Sequence, residues 1–105
     1  MSLRVIFELE ARVELIKTAE FYRNRSAEEA QRFQTALEIC FEHIRLFPEA
    51  FREVGFGIRR IHLEGFPYIV YYAIDPDAIF IYAIAHNKKD PTYWHSRVQP
   101  FKGAS

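Results

Sequence analysis

The residues able to do chemistry cluster near the end of the chain, where His86, Lys88, Lys89 and Tyr93 fall close together, followed by Trp94 and Arg97. Arg60 lies upstream, with Tyr71 and Tyr82 between. A histidine can take or give a proton near neutral pH. Arg60 can hold a phosphate or an acidic side chain, and Lys88 and Lys89 can serve a phosphate or a carboxylate. Each residue also has a plain structural role: His86 as a strand-end histidine bonded to a backbone carbonyl, Lys88 and Lys89 as a solvated turn, and Arg60 stacked on Tyr71, a cross-strand contact worth about 0.2–1 kcal/mol. The chemical reading requires that these side chains meet, so the elements carrying them decide it.

Three strands separated by short turns precede the cluster. Alternation and β-branched or aromatic enrichment place them at Ile58 to Glu64, Pro67 to Ile74 and Ala78 to Ala85. Gly65 and Pro67, then Pro76, mark the turns. Two-residue loops set the register, since opposed residues of an antiparallel ladder share a face. One face then reads Ile61, Val70, Ala83 and Leu63, Tyr68, Ala85, apolar enough to lie against helices. The other reads Arg60, Tyr71, Tyr82 and His62, Ile69, Ile84, a mixed face assigned to solvent or a partner. His86 closes the last strand on the face of Arg60.

Leu3 to Phe7 reads as a first strand. From about Leu9 the period becomes helical, with Ala11, Leu15, Ala19 and Tyr22 on one stripe, and with Glu10, Glu14, Lys17 and Glu20 mostly away from it. Ser26 to Glu29 has the capping-box pattern, in which the serine accepts from the Glu29 N–H and Glu29 reaches back to the Ser26 N–H. A second helix follows, with Ala30, Phe33, Leu37, Cys40, Ile44 and Phe47 as its stripe and Pro48 as its stop. After His86, Asp90 and Pro91 start a short helix that carries Tyr93, Trp94 and Arg97 before Pro100 ends it, leaving Phe101 to Ser105 frayed. The expected class is α+β in the order β-α-α-β-β-β. A helical hairpin packs on one face of a mainly antiparallel four-stranded sheet, and counting directions makes the first strand antiparallel to the second.

A chain of 105 residues, half of them apolar, forms one domain spanning 1–105 with an ample core. Its formal charge is zero, with eight basic against ten acidic residues up to Glu53 and six against four beyond. That mild asymmetry does not suit strong non-specific nucleic-acid binding. The single Cys40 makes no internal disulfide, and no signal peptide or bilayer-spanning run is recognisable, so a cytoplasmic protein with no membrane association is expected. Cys40 and His43 are too few for a metal site, and neither a metal nor a small-molecule cofactor is expected.

The order of elements, AEFY in the first helix, IRLFPEAF ending the second, GIRRIHLEGFPYIVYY and IYAIAHNKKDPTYW together resemble toxins of the RelE/ParE superfamily from bacterial type II toxin–antitoxin modules, which serve in plasmid stabilisation. The chain looks most like the ParE-type branch. The resemblance implies a cognate antitoxin as partner and, for ParE-type members, DNA gyrase as target. RelE-type members instead cut mRNA on the ribosome by aiding attack of the 2′-hydroxyl on its own phosphodiester, which needs a base, an acid and cations around the phosphorane. For a metal-independent ribonuclease of that kind, His86 would move the proton, Arg60 would stabilise the phosphorane, and Tyr93 would supply the C-terminal tyrosine. The lysine pair that such catalysts carry ahead of the second strand is replaced here by Phe51, Arg52 and Glu53. For a binding toxin, Arg60, Tyr71, Tyr82, Lys88, Lys89, Trp94 and Arg97 form the expected target or antitoxin surface. A non-toxic interaction module on the same fold is the third reading.

Overall fold

The computed structural model describes residues 3–98. Strand β1, Arg4–Phe7, leads into helix α1, Leu9–Arg25. Glu8 caps that helix: its Oε1 accepts from the Glu10 and Ala11 N–H groups at 3.0 and 3.3 Å, satisfying donors the first turn leaves free. Ala11 and Tyr22 are buried and Leu15 and Ala19 pack beside them, along the expected stripe. Helix α2, Ala27–Leu46, buries Phe33, Leu37, Cys40 and Ile44. Phe47, placed on that stripe from its spacing, is 59% exposed because the helix has ended by Leu46.

Ser26 joins the helices by serving both. Its N–H donates to the Tyr22 carbonyl at 3.1 Å, closing α1, and its Oγ accepts from the Glu29 N–H at 3.0 Å, opening α2. Only this half of the capping box forms. The Ser26 N–H is already taken, and the Glu29 carboxylate pairs with Arg25 at 3.5 Å.

Among the described residues the sheet has five strands rather than four, ordered β1-β5-β4-β3-β2. The added strand is β2, Glu53–Gly55, which pairs antiparallel with β3, Ile58–His62. Strands β4, Tyr68–Ile74, and β5, Ala78–His86, complete the antiparallel part, while β1 lies parallel to β5. Inserting β2 reverses the direction count, so the strand expected to oppose β1 runs the same way. Only Phe56 and Gly57 lie between the paired Gly55 and Ile58, both at positive φ, as a two-residue turn of the primed type requires. On Phe56, at φ 57°, this conformation carries a steric cost.

The β3–β4 register agrees with the sequence reading: Arg60 opposes Tyr71, Ile61 opposes Val70 and His62 opposes Ile69. Between β4 and β5 it agrees near the turn, from Ile74 opposite Ile79 to Tyr72 opposite Ile81. There Tyr82 is skipped, and Tyr71 opposes Ala83. This bulge moves every later residue of β5 to the other face, as a one-residue slip must. Ile84 joins Val70, Tyr72, Ile79 and Ile81 under the helices, whereas Ala83 and Ala85 join Ile58, Ile69 and Tyr71 on the far side. That far face is not open to solvent. Trp94 and Val98 pack on it, and Tyr71 is only 5% exposed. The C-terminal segment makes turns from Asp90 and then a helical turn at 95–98, with Asp90 Oδ1 accepting from the Thr92 N–H at 2.8 Å. The expected stop at Pro100 and the fraying of Phe101 to Ser105 lie outside the described residues.

Candidate functional site

Strand β1 pairs with β5 only from Ala78 to Ile81, so beyond Ile81 one edge of β5 has no neighbouring strand among the described residues. Side chains take over there. The Ile84 N–H donates to Glu14 Oε1 at 2.9 Å, and the Tyr82 carbonyl accepts from Arg97 Nη1 at 2.9 Å. Glu14 and Arg97 also bind each other through both carboxylate oxygens, Nη1 to Oε1 at 2.9 Å and Nη2 to Oε2 at 2.6 Å. The Tyr93 hydroxyl donates to Oε2 as well, and Glu10 lies 3.4 Å from Arg97 Nε. Helix α1, strand β5 and the C-terminal segment are thus joined at one carboxylate.

Around this joint lies a cleft of about 540 Å³, with Leu9, Val13 and Lys17 on one wall and His86, Lys89 and Tyr93 on the other. His86 is half-buried at the end of β5, with its ring edge-on to Tyr68 at 5.6 Å. Its Nδ1 accepts the Lys88 N–H at 3.1 Å, leaving Nε2 to carry the proton of the neutral ring. Lys89 Nζ lies 4.9 Å from the centre of the Tyr93 ring, and the Arg97 guanidinium 4.8 Å from it. Lys88 and Lys89 are exposed.

The remaining candidates are elsewhere. His86 opposes Tyr68, whose ring packs into the helix-side core, while Arg60 opposes Tyr71 on the far face. The expectation that His86 shares a face with Arg60 is therefore overturned, because the bulge at Tyr82 inverts the end of β5. Tyr71 and Trp94 stack at 5.6 Å and are 5% and 1% exposed, so these two rings form core rather than open surface. Tyr82 is half-buried on the same side. Arg59 donates from Nη1 to the carbonyls of Phe51 and Glu49, at 2.7 and 3.2 Å, holding the chain that enters β2.

Electrostatics match the geometry. Burial pushes the Glu14 carboxyl up, but hydrogen bonds from Arg97, Tyr93 and the Ile84 N–H outweigh it and hold the group below the ordinary carboxylate value. The same hydrogen bond pushes the Tyr93 hydroxyl up, with burial adding to it. Both residues of the joint are thus held in one protonation state at neutral pH. Arg97 is fully committed as well, with its side chain 7% exposed. Burial raises the Cys40 thiol to about 12, which leaves it inert.

Glu14 is the residue that sequence reasoning missed. It falls at the margin of the α1 stripe, and nothing in its local pattern distinguishes it from Glu10 or Glu20. The ligands that single it out come from positions distant in the chain.

The family model described as the ParE toxin of the type II toxin–antitoxin system, parDE, matches residues 5–91. Among solved structures, one described as the chromosomal ParDE TA system from P. aeruginosa superposes with a TM-score of 0.65 at 17% identity. The match covers 81% of this chain and 96% of that one, and at such identity it bears on the fold alone. No curated protein matches the chain.

Proposed function

Since the chain belongs to the ParE toxin family of type II toxin–antitoxin systems, we propose that it acts by binding, inhibiting DNA gyrase until a cognate antitoxin neutralises it. The observation that carries this reading is that the acid–base set expected from the sequence, His86 with Arg60 and Tyr93, does not assemble. Arg60 and His86 lie on opposite faces of the sheet, and the Tyr93 hydroxyl and the Arg97 guanidinium are both spent on Glu14. General acid–base catalysis on a phosphodiester needs its proton carrier and its cation at one atom, within hydrogen-bond reach. The exposed Lys89, across the cleft from the apolar Leu9 and Val13, suits contact with a protein surface.

Purified chain added to gyrase and relaxed plasmid is expected to block supercoiling and to accumulate gyrase–DNA cleavage complexes, with ribosome-bound mRNA left intact. The antitoxin encoded beside this chain is expected to restore supercoiling. Cleavage of mRNA on ribosomes with gyrase unaffected would select the ribonuclease instead, and inactivity in both assays would select the interaction module.

A further inference from the structure

Strand β1 forms one outer edge of the sheet, with β5 on its inner side and no strand beyond it among the described residues. The Glu8 N–H, just past the strand, donates to the Ile81 carbonyl at 2.9 Å. Because backbone directions alternate along a strand, Arg4 and Ile6 also turn their N–H and C=O groups to β5, whereas Val5 and Phe7 turn theirs outward. The side chains of Val5 and Phe7 pack on the helix-side core, Phe7 edge-on to Phe41 at 5.7 Å, which anchors the strand that carries this open edge. Leu9 follows directly and is 72% exposed, more than any other large apolar residue among those described.

The segment Leu3 to Leu9, LRVIFEL, is complementary to itself about Ile6. Val5 matches Phe7, Arg4 matches the oppositely charged Glu8, and Leu3 matches Leu9. In an antiparallel ladder of two copies with Ile6 opposite Ile6, these matches become neighbours. Val5 and Phe7 are then the hydrogen-bonded pairs, exchanging the N–H and C=O groups that point outward, and Arg4 opposes Glu8 of the second copy in a non-hydrogen-bonded pair, where side chains come closest. Glu8 Oε1 is taken by the first turn of α1, which leaves Oε2 for the arginine. A register shifted by two residues in either direction still pairs the outward groups but loses the match of Arg4 with Glu8.

We propose that two copies of this chain associate through β1, joining their sheets edge to edge across a two-fold axis at Ile6. The contact is isologous, so each copy offers both Arg4 and Glu8 and both are matched at once. A strand of uniform charge from another protein would match only one of them. Leu9, left in solvent by the single chain, meets Leu3 of the second copy. Neither the edge nor its complementarity depends on the toxin reading. So short a segment makes a small interface and a weak, reversible dimer, with dissociation in the micromolar to millimolar range.

Sedimentation equilibrium of the whole chain across that concentration range, together with hydrogen exchange, tests the contact. Wild type is expected to dimerise reversibly, and the Val5 and Phe7 amides to exchange fast when dilute and to become protected as dimer forms. Arg4→Glu sets two carboxylates against each other at both ends of the ladder, and Glu8→Arg does the same with two cations. Each is expected to weaken self-association at least about tenfold, since two attractive pairs become repulsive. An equimolar mixture of the two variant chains restores both matches and is expected to form a mixed dimer about as readily as wild type. Far-UV circular dichroism checks that each variant folds; Glu8→Arg also removes the α1 cap, and if it unfolds, Arg4→Glu and the wild-type amides decide. A chain that stays monomeric throughout would overturn the contact. So would a dimer indifferent to Arg4→Glu with Val5 and Phe7 unprotected, or folded variants whose mixture fails to associate. A monomeric chain whose Val5 and Phe7 amides are protected only by the antitoxin would give the edge to that partner instead of a second copy.

Discussion

Glu14 does more at a single position than any residue the sequence singles out, because it satisfies a strand edge and neutralises a buried guanidinium together. Breaking a buried pair by removing one partner leaves the other charge uncompensated, so Glu14→Ala is expected to destabilise the fold by about 3–5 kcal/mol, read from urea midpoints. The pH dependence has a definite sign. The folded carboxyl titrates below its ordinary value of 4.5, so in that region the unfolded chain binds more protons. The joint's contribution is therefore complete above about 4.5 and lost as pH falls through the folded value. The difference between wild type and Glu14→Gln should shrink as the solution is acidified over that window; a constant difference would rule the linkage out. Leu37, 9% exposed on α2, should cost roughly 2–5 kcal/mol on replacement by alanine, whereas Ser26→Ala should cost about 1 kcal/mol, because only one half of its capping box exists.

Among the elements, the C-terminal segment has the largest structural consequence. Trp94 covers Tyr71 and meets Phe56 edge-on at 6.1 Å, so it bridges the second face of the sheet to the strained β2–β3 turn. Trp94→Ala is expected to cost about 3–5 kcal/mol and to raise dye binding by exposed apolar surface, with thermal unfolding as the measurement. Truncation after Asp90 would uncover the same face. Loss of inhibition by such a truncated chain would thus report unfolding as readily as a lost target contact, and point variants are the sharper probe. Helix α1 has its own outward apolar residues, Leu9, Val13 and Ile16, which nothing among the described residues covers.

For the whole molecule, formal neutrality conceals a division of labour. The acidic N-terminal half supplies Glu14 to the joint, and the basic C-terminal half supplies Lys89 to the cleft, with the exposed Lys88 next to it in sequence. If the chain inhibits gyrase as proposed, replacing Lys88 and Lys89 together by glutamate is expected to relieve that inhibition at least tenfold while leaving the unfolding free energy within about 0.5 kcal/mol of wild type, since exposed charges contribute little to stability. Supercoiling assays across a concentration series read this directly. Full inhibition by the double variant would move the target contact away from the cleft.

Local pattern was sufficient for the two helices, their join at Ser26, the β3–β4 register and the α+β class, because each depends on residues adjacent in sequence or on a single two-residue turn. The ordered motifs likewise carried the family. Strand β2 escaped because three residues, EVG, have no alternation to detect, and Phe56 occupies a turn position where glycine or asparagine is the usual signal. The bulge at Tyr82 escaped for a related reason: in YAIA both faces of β5 are apolar, so either phase looks equally good until the helices and Trp94 select one. That single skipped residue separated His86 from Arg60. The candidate site was therefore legible as a set of residues, whereas its partition into a cleft and a covered face was decided by contacts between positions some seventy to eighty residues apart, as Glu14 with Ile84, Tyr93 and Arg97 illustrates.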